Sequence, residues 1–247
     1  MEFYVLLISF FIIALIYSSV GFGGGSSYLA LMGVMAISMN VMRPAALLCN
    51  IVVVTSGTLI FYKEKLLDFK KSWPFLASSI PFAFLGGYWP ITENTFFKIL
   101  GVTLVVASVI LWIQRDYQSD KEHSVSENKA LNLGLGGGIG FLSGLVGIGG
   151  GIFLSPILYF IRWDHVRKIS ALASVFILVN SLSGLAGQLS RSGSLDWKFI
   201  LPLLLAVLIG GQIGSRLGAR RFNPLYIKRI TAVLILVAGL NILKDHL

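Results

Sequence analysis

Two glycine clusters decide how the chain reads: GFGGGSS at residues 21–27 and GLVGIGGGIFLSPIL at 144–158. Each breaks an otherwise apolar run. The first separates 3–20 from 28–42, and the second separates 131–147 from 152–161. Gly21, Gly23, Gly24 and Gly25 recur as Gly147, Gly149, Gly150 and Gly151 at a constant offset of 126. Leu67-Asp68-Phe69 with Pro74 recurs as Leu195-Asp196-Trp197 with Pro202 at 128, and Phe97-Lys98 as Ile227-Lys228 at 130. The common order of these matches, with a slow drift from small insertions, identifies a duplicated half.

Working outward, the other apolar runs are 44–62, 73–92, 96–114, 169–190, 199–216 and 225–243. A bilayer-crossing helix needs roughly 20 consecutive apolar residues, and most of these runs are long enough. The segments after the two glycine clusters, 28–42 and 152–161, are not. Of 247 residues 55% are hydrophobic and only 13% charged, and the mean hydropathy is +0.82. A soluble domain is about a quarter charged, so this surface faces lipid. The expected class is an all-α polytopic membrane protein. Its first repeat spans 1–114, a polar linker 115–130 and its second repeat 131–247.

The net charge of +9 does not indicate nucleic acid. The cations sit in short connections between apolar runs, where lysine and arginine report membrane orientation. Simple crossings throughout would divide the twenty cations evenly between the two faces. If each short segment returns the chain to the face it came from, Arg43, Lys98, Arg191, Lys198 and Lys244 fall on one side and the other fifteen opposite. That asymmetry satisfies the positive-inside rule. Each half then holds about four full helices and a glycine-broken re-entrant hairpin, and the halves are inverted. Both termini face outward and the central polar stretch is cytoplasmic. The parity leaves open whether a hairpin crosses fully or only dips. Trp73, Trp89, Trp112, Trp163 and Trp197 lie near segment ends, as interfacial anchors do. The single Cys49 excludes an internal disulfide and a cysteine-based zinc site and reads as a small buried hydrophobe.

Irregular backbone at membrane depth is tolerated only where protein or a watery cavity surrounds it. The helix following each glycine break presents unpaired N–H groups and the positive end of its dipole, and such an end binds anions without a basic side chain. The expected substrate-binding residues are therefore Gly23, Gly24, Gly25, Ser26 and Ser27 in the first half and Gly149, Gly150 and Gly151 in the second, with Ser155 as a looser equivalent. Tight packing alone is the competing reading, and it fits Gly136, Gly140 and Gly144, four apart on one helix face, best.

All eleven carboxylates lie at segment ends or in loops. Cation pathways and proton relays usually place one inside the membrane, so the composition favours an anion or a small neutral solute. No acid, base or metal cluster of a catalytic kind stands within the runs, and the chain is read as no enzyme, without cofactor or metal. Arg43 and Arg167 each follow a short segment and precede a full helix, positions from which a cation would guide anions or simply fix orientation. Asn50, Thr55 and Ser56 have rough partners in Ser174, Asn180, Ser181 and Ser183 of the second half, and these polar residues either line a pathway or bond between helices.

The glycine turn after the first helix, its repetition at mid-chain and the arginine before the next helix resemble the TauE/SafE sulfite exporter family, also called toluene-sulfonate uptake permeases. The resemblance covers nearly the whole chain. It implies a multi-pass plasma-membrane transporter for sulfite, sulfonates or related organic acids. The first copy departs from the second in having no counterpart of Pro156. Alternating access around a midplane site is the expected mechanism, as in other duplicated transporters, and an anion channel is the alternative. The expected partners are a small anionic substrate and the lipid bilayer, with a homodimer left open and no nucleic acid.

Overall fold

The computed structural model describes residues 2–19, 22–113, 128–192, 195–221 and 224–246, with side chains other than those of 2, 192, 217–221 and 224–228. Gly21 and nearly all of the linker assigned to 115–130 lie outside the described residues. Ten helices follow one another: α1 (Glu2–Ser18), α2 (Gly25–Val34), α3 (Met39–Lys63), α4 (Phe69–Tyr88), α5 (Glu93–Ile113), α6 (Lys129–Val146), α7 (Gly151–Phe160), α8 (Val166–Ser192), α9 (Trp197–Arg221) and α10 (Pro224–His246). No strand occurs among the described residues. Five helices, α3, α5, α6, α8 and α9, are long and apolar enough to cross a membrane. The protein is an all-helical polytopic membrane protein. Rows of apolar side chains face outward, such as Val102, Val106, Val109 and Ile113 on α5, at the spacing of one helix face.

The helices fall where the apolar runs place them, with boundaries shifted by a few residues: α4 begins at Phe69 rather than 73, α8 begins at Val166 rather than 169, and α9 continues to Arg221 rather than 216. α3 begins at Met39 rather than near residue 44. The chain turns at Met35–Ser38, with Ala36 at a φ of 53°, and the amides of Val41 and Met42 donate to the Ser38 carbonyl. Apolar Met35 and Ile37 disguise that turn in the sequence. Arg43 and Arg167 consequently lie inside α3 and α8. Four tryptophans are about half exposed, but Trp163 is buried and stands edge-on to Phe75 at 6.0 Å. The α7–α8 connection turns it inward, so it is no interfacial anchor.

Neighbouring helices come largely from opposite sequence halves: α4 packs on α6 and α8, α9 on α1 and α3, and α5 on α10. Glycine makes the closest of these contacts. A methyl group on Gly136, Gly140 or Gly144 would run into the backbone of Phe75, Ser79 or Ala83, so α4 and α6 run side by side in the same direction. Gly210 and Gly214 meet Phe11 and Leu15 in the same manner, which sets α1 parallel to α9. The packing role read for the α6 glycines is what the structure shows.

The helix ends define two faces. Glu93 Oε1 accepts from the Met39 amide at 3.0 Å, so α3 and α5 begin together. His246 stacks on Phe97 at 4.4 Å and Phe3 lies 5.9 Å from Phe199. Both described chain ends therefore share this terminal face. On the opposite face Arg167 pairs with Glu64 at 2.8 Å, where α3 ends and α8 begins.

Candidate functional site

The two short helices turn back at the middle of the molecule. Each has ten residues, about 15 Å at 1.5 Å per residue, half of a hydrocarbon core of roughly 30 Å. Gly24 and Gly150 cap them, both at a φ of 83°, a left-handed conformation that glycine enters without penalty. A methyl group on Gly24 would meet Ile13 and Tyr28 at 3.0 Å, and one on Gly150 would meet Phe176 at 2.8 Å and Ile139 at 3.1 Å. α2 thus folds back along α1, with Tyr28 stacked on Phe10 at 4.5 Å, and α7 folds back along α6.

Neither helix start is capped by a side chain. The first intrahelical bond of α2 is Tyr28 N–H to Gly24 O at 3.0 Å, and those of α7 are Phe153 and Leu154 N–H to Gly150 O at 3.1 Å. The amides of Gly25, Ser26 and Ser27, and those of Gly151 and Ile152, precede these bonds. Uncapped helix starts are normally solvated or satisfied by a ligand. Here they are buried.

The two elbows touch. A methyl group on Gly25 would lie 2.7 Å from the Ile148 carbonyl oxygen. Asn50, fully buried in α3, donates from Nδ2 to that carbonyl at 3.0 Å. Its Oδ1 has no protein partner, and it flanks Gly23, Gly25 and Gly149. Beside this junction is a cavity of about 30 Å³ lined by Gly23, Gly24, Gly25, Ser26 and Gly151 together with Tyr17, Phe22, Leu111, Ile148, Ile152, Ile177 and Thr231. It has room for a water or two. Anything larger requires the elbows to part. Tyr17 Oη and Ser27 Oγ lie 2.5 Å apart in a hydrogen bond, which ties the end of α1 to the start of α2.

The register of the two halves follows from these contacts. Gly23 faces Asn50 and Val54, and Gly149 faces Ile177 and Ser181, so positions in α3 and α8 correspond at a shift of 127. The counterpart of Asn50 is Ile177, not one of the polar residues of α8. Ser26 and Ser27 correspond to Ile152 and Phe153 at the elbows' own shift of 126, so the second elbow carries no hydroxyl. Ser155 stands beyond the first turn of α7, buried and without a protein partner. Ser174 bonds Thr58 across helices at 3.0 Å, and Ser183 donates to the Ile80 carbonyl at 2.6 Å. Asn180 and Ser181 are fully buried, with the Asn180 amide atoms and Ser181 Oγ unpaired.

The two arginines have unlike surroundings. Arg43 is buried near the terminal face, where its Nη2 donates to the Gly144 carbonyl at 3.4 Å and its guanidinium lies 5.7 Å from the Phe96 ring centre. Arg167 is exposed on the opposite face, paired with Glu64. By the register of 127 the counterpart of Arg43 is Ser170 and that of Arg167 is Asn40. Sequence reading passed over Tyr17 and Thr231. Each is one polar group at the edge of an apolar helix, and no motif distinguishes it there. Among the described residues no three of His, Cys, Asp and Glu gather to hold a metal ion.

The comparisons agree with this architecture. The model of the sulfite exporter TauE/SafE family matches residues 6–242. A probable membrane transporter protein of Sinorhizobium fredii, y4hK, is 33% identical over 240 residues, covering 96% of this chain and 97% of the relative. The probable membrane transporter proteins YjnA and YunE of Bacillus subtilis are 29% and 25% identical; the matches cover 97% and 96% of this chain and 98% and 96% of the relatives. No solved structure matches the chain. The match over nearly every helix, with relatives aligned from end to end, places this membrane transporter in the TauE/SafE sulfite exporter family.

Proposed function

We propose that this protein is a secondary transporter of a small anion, namely sulfite, a sulfonate or a related organic acid, working by alternating access around the junction of the two elbows. The observation that carries the reading is the pair of buried, uncapped helix starts converging on one cavity. Their amide hydrogens and dipoles offer partial positive charge without a cation to neutralise. Among the described residues no carboxylate lies within a helix away from its ends, which favours a negative passenger over a positive one.

The inverted arrangement is supported by the parallel pairs α1–α9 and α4–α6 and by the shared face of the chain ends. Rocking one half against the other would expose the junction to alternate faces. The cavity of about 30 Å³ then represents an occluded arrangement. The uneven distribution of lysine and arginine supports a plasma-membrane orientation with both termini outside and the central stretch in the cytoplasm.

Flux of sulfite, methanesulfonate, sulfate and acetate into proteoliposomes tests this. Saturable uptake of at least one anion, accelerated by the same anion loaded on the far side, is the expected result. Flux that rises linearly with concentration and shows no counterflow would identify a channel instead.

A further inference from the structure

Near the terminal face, apart from the elbow junction, lies a second cavity of about 310 Å³, lined among others by Asn40, Arg43, Gln188 and Arg191. We infer that Arg43 and Arg191 make this cavity an anion-binding vestibule, a loading station for a compact oxyanion on the terminal side. The inference rests on the anion-transport reading and assigns it a second, spatially separate site.

Arg43 is 5% exposed. Buried charges are normally paired with an opposite charge, yet among the described residues no carboxylate forms an ion pair with Arg43 or Arg191. Arg43 Nε has no protein partner at all. Two guanidinium groups facing one cleft repel each other, and low-dielectric walls concentrate their field. An oxyanion between them relieves the repulsion and supplies acceptors that the protein lacks. Arginine's planar fork suits a sulfonate or carboxylate. At about 30 Å³ of liquid per water, the cavity admits such an anion together with several waters.

A structural role for Arg43 explains only part of this. Gly144 lies in the last turn of α6, where carbonyls lack intrahelical donors, and Arg43 reaches one of them. Gln188 Nε2 donates to the same carbonyl at 3.4 Å, so that acceptor is served without Arg43. Capping gives no reason for Arg191. The other half sharpens the contrast. By the register of 127, Ser170 stands where α3 carries Arg43, and Glu64 stands where α8 carries Arg191. Glu64 is already paired with Arg167. The terminal face holds an open pair of cations where the opposite face holds a closed ion pair.

Titration calorimetry of the purified full-length protein with methanesulfonate and with sulfite, beside proteoliposome flux of the same anions, tests the vestibule. Dimethyl sulfone serves as the neutral analogue. Arg191→Gln is the leading variant because Arg191 is exposed and its loss leaves no buried gap. Arg43→Lys retains the charge without the fork. Expected are anion binding to the wild type, none of dimethyl sulfone, and a loss of affinity of about tenfold or more in each variant, as for removal of one charge-assisted contact. Gly24→Val should keep this binding while losing flux. Unchanged affinity in both arginine variants, with wild-type flux intact, overturns the vestibule and leaves the transport reading standing. Normal flux in Gly24→Val beside weakened binding in the arginine variants supports the vestibule and removes the elbow site. A wild type that neither binds nor carries either anion overturns both.

Discussion

The side-chain amide of Asn50 donates to the backbone carbonyl of Ile148 at 3.0 Å, and so joins the middle of α3 in one half to the elbow of the other. Replacement by leucine leaves that carbonyl unpaired at the centre of the protein. An unpaired buried acceptor costs about 1–3 kcal/mol. Asn50→Leu should therefore lower the thermal unfolding midpoint in detergent, and an unchanged midpoint would show the bond to contribute nothing. Asn50→Asp places a fixed carboxylate beside both helix starts. It should occupy the seat intended for the passenger and reduce flux at least tenfold.

The elbows separate two demands on glycine. Gly24 needs its positive φ, and valine there should cost about 1–3 kcal/mol in backbone strain as well as transport. Gly25 is helical, and its constraint is proximity. A methyl group would collide with the Asn50 amide and approach the Ile148 carbonyl at 2.7 Å. Gly25→Ala should fold and insert yet transport poorly, read as flux per inserted molecule. Wild-type flux in this variant would show that the elbows need not touch.

Glycines on α6 make a matched pair of opposite sign. Gly140→Leu drives a side chain into the Ser79 backbone, whose Cα lies 2.7 Å from the first added carbon. It should separate α4 from α6 and abolish a cooperative unfolding transition. Gly138 has nothing within 4 Å of an added methyl group. Gly138→Ala should stabilise by about 0.5–1 kcal/mol through helix propensity. Equal effects at the two positions would refute the packing assignment.

Asp164, in the connection before α8, links to Lys71 at 3.5 Å and Lys168 at 3.4 Å. Burial pushes its carboxyl up, but the His165 backbone amide, 2.8 Å from Oδ1, and the two ammonium groups outweigh it and hold the carboxyl below its ordinary value. A carboxyl depressed in the folded state stabilises above its unfolded value and loses that contribution as pH falls through the folded one. Unfolding midpoints of the wild type and Asp164→Asn should therefore differ at neutral pH, begin to converge below the ordinary carboxyl value of about 4, and meet only once the pH has fallen through the lower folded value. A gap that persists there would mean the charge is not what matters.

Helix number, the order of long and short segments and the two breaks were legible in the sequence because apolar run length and glycine clusters are local properties. So was the packing face of Gly136, Gly140 and Gly144, since a spacing of four lies on one side of any helix. The start of α3 was not, because Met35 and Ile37 are as apolar as the helices around them and only the turn at Ala36 separates α2 from α3. Asn50 could be paired with a polar residue of α8 in the sequence, but the three-dimensional register gives it Ile177.

What the sequence by itself determined, then, is an all-helical polytopic membrane protein with two glycine elbows able to turn. Only the tertiary structure decided which groups those elbows face. Tyr17 and Thr231 reach one cavity from α1 and α10, and Arg43 and Arg191 reach another from α3 and α8. A cavity depends on which helix faces meet between segments far apart in the chain, and no local pattern of residues specifies that meeting.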